Sequence, residues 1–187
     1  AVAAQPKRKH TPFRIVYAGL LGVAQDIYSI IENIPFQSIG AEFHLYGGGN
    51  QAEKIKEYIN KHPGCFVYYH GYVKKEQIAE ELSRYDASIV PLTVAIKGAV
   101  PSKIYDLIPI GIPILFCGGG EGAEIVSKYY FGMVSKPHDF KQLHNNIIEL
   151  INLPDEEYST ISKNCLDMAK NEFDFNKQIY RLSLIHI

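Results

Sequence analysis

The sequence predicts an α/β fold: a doubly wound parallel sheet of six strands with helices on both faces, Rossmann-like in type. Three observations lead there. Apolar runs of about five residues alternate along the chain with amphipathic stretches of about ten, the rhythm of repeated βα units. The strand candidates read as unbroken apolar runs rather than as alternating ones, as strands covered on both faces do. And each glycine-bearing loop follows a strand, so in a doubly wound sheet all of them would meet at one edge, where such folds bind ligands.

Taken in order, residues 13–18 (FRIVYA) form the first strand and residues 24–32 a helix with isoleucines on one side. Residues 42–46 (EFHLY) are a strand that runs into Gly47-Gly48-Gly49, and residues 51–61 a charged amphipathic helix. Residues 66–69 (FVYY) are a strand, residues 75–85 a helix and residues 87–91 (ASIVP) a strand closed by proline. A loop holding Lys97, Gly98 and Pro101 leads to a short helix, 102–108, with Ser102 as its expected N-cap. Residues 113–117 are the fifth strand, 121–128 a helix, 132–135 the sixth strand and 139–152 a helix. Beyond Pro154 the pattern is helical, with breaks expected near Asp174.

The 187 residues suffice for one large domain with a substantial core. At 47% hydrophobic and 21% charged residues, with a formal net charge of -1, the composition is that of a soluble globular protein and argues against nucleic acid as a partner. Lys7-Arg8-Lys9 reads as a solvated tail or as a contact for a membrane surface. Cys65, Cys117 and Cys165 are widely spaced without any CxxC pair, which disfavours zinc and fits free thiols in a reducing cytosol. No signal peptide or spanning segment is visible. The chain starts at Ala1 without Met and reaches its first strand almost at once, so it is expected to be a piece of a longer protein.

Ser102 and Lys103 open a helix whose free N–H groups suit an anion, and Asp106 lies one turn beyond Lys103 on the same face. A cation with a helix N-terminus for phosphates, next to a carboxylate for sugar hydroxyls, is the chemistry of a nucleoside diphosphate site. The bland alternative is a capped helix with an exposed ion pair. Gly47-Gly48-Gly49-Asn50-Gln51-Ala52 matches the loose GxGxxA fingerprint, but the next strand ends in Tyr69-His70-Gly71-Tyr72 without the acidic residue that a dinucleotide site needs. Three glycines making a tight turn is its competing reading. Gly118-Gly119-Gly120-Glu121-Gly122 allows a ligand close to the backbone, or is simply a flexible loop. No Walker loop, GxSxG elbow or Asp-x-Asp pair occurs, and His44, His70, His138 and His144 read as surface or hydrogen-bonded core residues.

In this order the loops resemble the C-terminal, donor-binding half of GT-B glycosyltransferases, in the large retaining family 4-like group of bacterial polysaccharide enzymes. YAGLLGVAQ at 17–25 looks like that family's YAG-x-LG-xx-Q segment, and LYGGG at 45–49 like its second-strand loop. YHGYV at 69–73 with Glu76 is similar to FxGxVxxE, and YDASIVP at 85–91 to ADxxxxP. VPSKIYD at 100–106 with Gly111-Ile112-Pro113 resembles VPSKxxE…GxP, and Gly120-Glu121 with Ala123-Glu124 matches the loop that follows. Asp106 stands where the family usually has Glu, and Gly98 where it has a paired Glu eight positions earlier.

The resemblance implies a hexosyltransferase part whose substrate is a nucleotide-sugar, with UDP the commonest nucleotide. Asp106 would accept from the ribose hydroxyls. Lys103 and the Ser102 turn would hold the diphosphate, helped by Gly19 and Gly22 with the Gly47, Gly48 and Gly49 loop. The backbone at Tyr72 and Val73 would meet the base, and Gly119, Gly120 and Glu121 the donor sugar. No cofactor is expected besides the nucleotide-sugar substrate, and the lack of an Asp-x-Asp pair leads to the expectation of a metal-independent mechanism. Residues 1–12 would be a tail or linker, 13–153 the nucleotide-sugar-binding domain, and 154–187 helices packing back toward an N-terminal acceptor domain that carries the catalytic residues. The isolated piece is expected to be inactive. A homodimer through the face left open, a cytoplasmic location and peripheral contact of the full-length enzyme with the inner face of a membrane complete the expectation. The alternatives are a non-catalytic nucleotide-binding or regulatory module and a GT-B-fold sugar-nucleotide epimerase.

Overall fold

The computed structural model describes residues 9–94 and 100–184. Six parallel strands form one sheet in the order β3-β2-β1-β4-β5-β6, with β1 Phe13–Ala18, β2 Ala41–Tyr46, β3 Val67–Gly71, β4 Ala87–Pro91, β5 Ile114–Cys117 and β6 Gly132–Ser135. The order reverses between β1 and β4, which is where a doubly wound sheet opens a crevice at its carboxyl edge. The predicted fold class is therefore the observed one.

Strand alternation explains the two layers. In β1, Ile15 and Tyr17 face the layer of α1 (Ile27–Asn33), α2 (Ala52–Lys61) and α6 (Phe140–Asn152). Val16 and Ala18 face the layer of α3 (Ile78–Leu82), α4 (Ser102–Leu107) and α5 (Gly120–Lys128). The final helix, α7 (Asp155–Leu184), serves both: Tyr158 and Ile161 are buried in the first layer and Cys165 in the second. Each layer buries apolar side chains at roughly 25 cal/mol per Å², the main force behind this arrangement.

Several local expectations are corrected. α1 starts three residues later than predicted, because Asp26 adopts left-handed backbone angles (φ 43). Phe66 also has positive φ (59), so β3 starts after it. The helix expected at 75–85 is a 3-10 turn, Lys75–Gln77, followed by the short α3. Ser102 is not the cap of α4 but its first residue. Pro101 takes the cap position, and its carbonyl accepts from Ile104 N at 3.0 Å. No break occurs at Asp174, since α7 runs through it. Lys9 is no solvated tail residue. Its Nζ donates to Ile151 O at 2.8 Å and to Leu153 O, a cation at the carboxyl end of α6, where the helix dipole favours one. Lys97 and Gly98 lie outside the described residues, as do Lys7 and Arg8.

Candidate functional site

Three glycine-bearing loops are stitched together at the carboxyl edge by backbone hydrogen bonds. Gly19 N donates to Tyr46 O at 3.0 Å, Leu21 N to Gly48 O at 2.9 Å, and Gly47 N to Gly71 O at 2.7 Å. The Tyr69 hydroxyl donates to Gly47 O at 2.8 Å. The glycines are thus more than a tight turn: they let neighbouring loops approach to backbone-on-backbone distance, building a rigid floor.

Above that floor lies a cleft of about 630 Å³. Gly19, Gly47, Gly48, Tyr72 and Val73 line it from the sheet edge, and Lys103 and Asp106 from α4. Lys103 Nζ is 3.5 Å from Asp106 Oδ2, as their spacing of three residues predicts. Asp106 is the more open of the two, so its carboxylate is available to a ligand. The sequence reading missed Tyr46, Lys75, Ile78, Ala79, Leu82 and Ile110, which line the cleft too, as do Ala18 and Leu20. Ile78 and Leu82 have the i, i+4 spacing of a core-facing stripe, and nothing in the sequence says that one end of that stripe borders a cleft. Leu20, which also lines the cleft, is 62% exposed.

The other predicted residues lie elsewhere. Gly22 makes the turn into α1, its carbonyl accepting from Gln25 N and Asp26 N. Gly49 packs beneath Leu21, whose carbonyl would be 2.4 Å from a β-carbon there. Ser102 does not line the cleft. Gly119 and Gly120 form the start of α5, and Glu121 borders a separate groove of about 330 Å³ with Tyr105, Glu124 and Tyr129. Among the described residues, no group of three or more His, Cys, Asp or Glu side chains is arranged to hold a metal ion. Likewise, none of the helices is long and apolar enough to cross a membrane.

Beside Tyr46 of the cleft wall, two of the scattered histidines, His44 and His70, become neighbours. His44 Nδ1 is 2.9 Å from His70 Nε2 with the rings parallel, and His44 Nε2 is 3.3 Å from Glu42 Oε2. His70 stacks on Tyr46, whose hydroxyl donates to Glu81 at 2.7 Å and lies 2.7 Å from the Tyr85 hydroxyl. Burial, with these bonds, pushes the Tyr46 phenol far above its usual range, so it stays protonated. Burial lowers the pKa of His44, an effect that the Glu42 carboxylate partly offsets and His70 reinforces. A lowered folded value means that the unfolded chain binds the proton more readily. The contribution of His44 is thus present above 6.5, its ordinary value, and is lost as pH falls toward the lower folded one. Thermal unfolding between pH 7.5 and pH 5 is expected to show a falling midpoint, with a shallower fall in His44→Gln. Parallel curves would contradict this assignment.

A family model described as "Glycosyl transferases group 1" matches residues 12–153. No curated protein matches the chain. Among solved structures, HepE of Anabaena in complex with UDP-glucose superposes with a TM-score of 0.73 at 18% identity, over 94% of this chain and 49% of that one. TarM of S. aureus, as a mutant in complex with UDP and other ligands, gives 0.70 at 17%, over 89% and 34%. The catalytic domain of the Helicobacter pylori cholesterol-alpha-glucosyltransferase gives 0.64 at 17%, over 87% and 99%. This chain thus spans a third to a half of the first two, and at these identities the likeness speaks for the fold.

Proposed function

Because the chain belongs to the group 1 glycosyl transferases, we propose that its cleft binds the nucleotide-sugar donor, a UDP-sugar, of a retaining hexosyltransferase. One observation carries this reading. Lys103 and Asp106 enter the same cleft as the glycine floor, beside the β1/β4 switch point. Asp106 accepts hydrogen bonds from the ribose hydroxyls, while Lys103 faces the diphosphate. In the transfer, the bond from the sugar's anomeric carbon to the diphosphate breaks and a bond to an acceptor hydroxyl forms, with the acceptor's proton leaving. Negative charge grows on the departing diphosphate, so a fixed cation there contributes more than any general base. The UDP and UDP-glucose bound in TarM and HepE support the choice of nucleotide.

The acceptor is a polysaccharide or lipid-linked sugar, brought by a second domain that closes over the cleft beside the exposed Leu20. That domain supplies the catalytic residues, so this chain alone binds donor without turnover. Metal is not required in this scheme, since Lys103 and backbone N–H groups neutralise the diphosphate.

Calorimetric titration with UDP, GDP and NAD tests the reading. UDP is expected to bind, and Asp106→Ala and Lys103→Ala each to weaken it about 10- to 100-fold, the worth of one hydrogen bond to a charged group. Affinity unchanged in both variants would overturn it.

A further inference from the structure

At its carboxyl end β3 carries one residue more than β2. Leu45 pairs with Tyr69 and Tyr46 with Gly71, so His70 is the extra residue of a bulge. The bulge sets the His70 ring level between His44 and Tyr46 on one face of the sheet. It lies parallel to His44 at a centroid distance of 5.1 Å and stacks on Tyr46 at 4.7 Å. The next residue, Gly71, gives its carbonyl to Gly47 N at 2.7 Å, one of the bonds of the cleft floor, and Tyr46 itself lines the cleft. Whatever holds His70 in place therefore bears on that floor.

Counting protons fixes the roles in the bond that holds it. The Glu42 carboxylate only accepts, so His44 Nε2, 3.3 Å away, carries a hydrogen. In the neutral ring Nδ1 is then bare and accepts from His70 Nε2 at 2.9 Å. One added proton reverses this bond without breaking it. The proton enters at His70 Nδ1, the shared hydrogen passes to His44 Nδ1, and the His44 cation donates to Glu42 and to His70. A second proton has no such outlet. Both facing nitrogens would carry hydrogens, two like charges would stand side by side, and the bond must break. His44 is half-buried and His70 exposed, so His70 is the ring that leaves.

The surrounding charges are already engaged. Glu42 faces Arg14 of β1, whose Nε is 3.7 Å away, and Glu81 of α3 is held by Arg84 at 3.1 Å and by the Tyr46 hydroxyl. Tyr68 stacks on His44 and Tyr85 leans against it at 5.0 Å, and burial keeps both phenols protonated. Burial also lowers the pKa of both imidazoles, offset in part by Glu42 at His44 and by Glu81 at His70.

We propose that the His44–His70 pair is an acid-opened latch on the cleft floor: shut while the two rings hold one added proton or none, and opened by the second, which frees His70 and loosens the bulge together with the Gly47–Gly71 bond. Both pKa values lie below the ordinary 6.5, so the latch is shut at neutral pH and opens in acid. It belongs to the chain without ligand and does not depend on the nucleotide reading above.

Histidine-ring and amide chemical shifts of the ligand-free chain, followed from about pH 8 to about pH 4.5, test it. The pair is expected to titrate in two steps at least about one pH unit apart, with the Gly47 and Gly71 amides moving in the second step only. In His70→Gln the side-chain amide can turn either its oxygen or its nitrogen toward His44, so His44 is expected to titrate in one step while Gly47 and Gly71 stay still. Leu115, buried in β5, is expected to keep its amide shift in both proteins. A single step shared by the two rings, or equal movement of Gly47 and Gly71 in parent and His70→Gln, overturns the latch. So does loss of the Leu115 signal in step with them, which would mean global unfolding.

Discussion

Asp86→Ala is expected to cost the fold about 3–5 kcal/mol, the usual penalty for removing one partner from a buried, charged hydrogen-bond cluster. Asp86 is 0% exposed. Its carboxylate accepts from Arg14 N at 2.7 Å and from His10 N at 3.2 Å, and lies 2.9 Å from His10 Nδ1. Its backbone carbonyl accepts from the Tyr158 hydroxyl at 2.6 Å. One residue ahead of β4 thus ties together the entry to β1, the central strands and α7. Alanine leaves buried N–H groups without an acceptor, and neither layer can move to supply one. Asp86→Asn keeps one acceptor oxygen and is expected to lose about half as much. Urea unfolding at pH 7 measures both. A loss below about 1 kcal/mol for the alanine variant would contradict this role. Asp86 sits at the opposite sheet edge from the cleft, so the nucleotide affinity of the folded fraction should not change.

Gly47→Ala is expected to damage fold and site together. Gly47 has φ +122, and a β-carbon on it would stand 1.9 Å from Gly19 O. That neighbour is backbone and cannot rotate away. The β1 and β2 loops must separate, breaking the Gly19 N to Tyr46 O and Leu21 N to Gly48 O bonds that form the cleft floor. The expected cost is about 3 kcal/mol or more, together with loss of measurable nucleotide binding. Gly48→Ala is the informative control. Its β-carbon meets the hydroxyl end of Tyr72, a side chain that can swing aside, so the cost is expected to stay below about 1 kcal/mol. Equal melting temperatures for Gly47→Ala and the parent would refute the role given to the glycine floor.

The sheet was legible from its central strands: β4 and β5 are buried along their whole length and leave apolar runs that little else produces, whereas β2 and β3 alternate buried with half-buried or exposed residues. Element starts were less so, since Asp26 ahead of α1 and Phe66 ahead of β3 adopt left-handed angles that the pattern of apolar residues does not announce. The site was half legible for a related reason. Sequence tells which loops follow strands, and so it found Gly19, Gly47 and Gly48 together with the Lys103 and Asp106 pair. It does not tell which way a loop turns. Gly119, Gly120 and Glu121 follow a strand just as surely, yet Glu121 borders the groove beside Tyr105. Asp86 illustrates the converse: it belongs to a motif-like segment, but its carboxylate is spent on structure.

The most direct test of the central claim is amide chemical-shift mapping of the chain during titration with UDP. The account predicts shifts concentrated at Gly19, Gly47, Gly48, Tyr72, Val73, Lys103 and Asp106, with the Glu121 and Tyr129 groove silent. Shifts confined to that groove, or none at millimolar UDP, would contradict it.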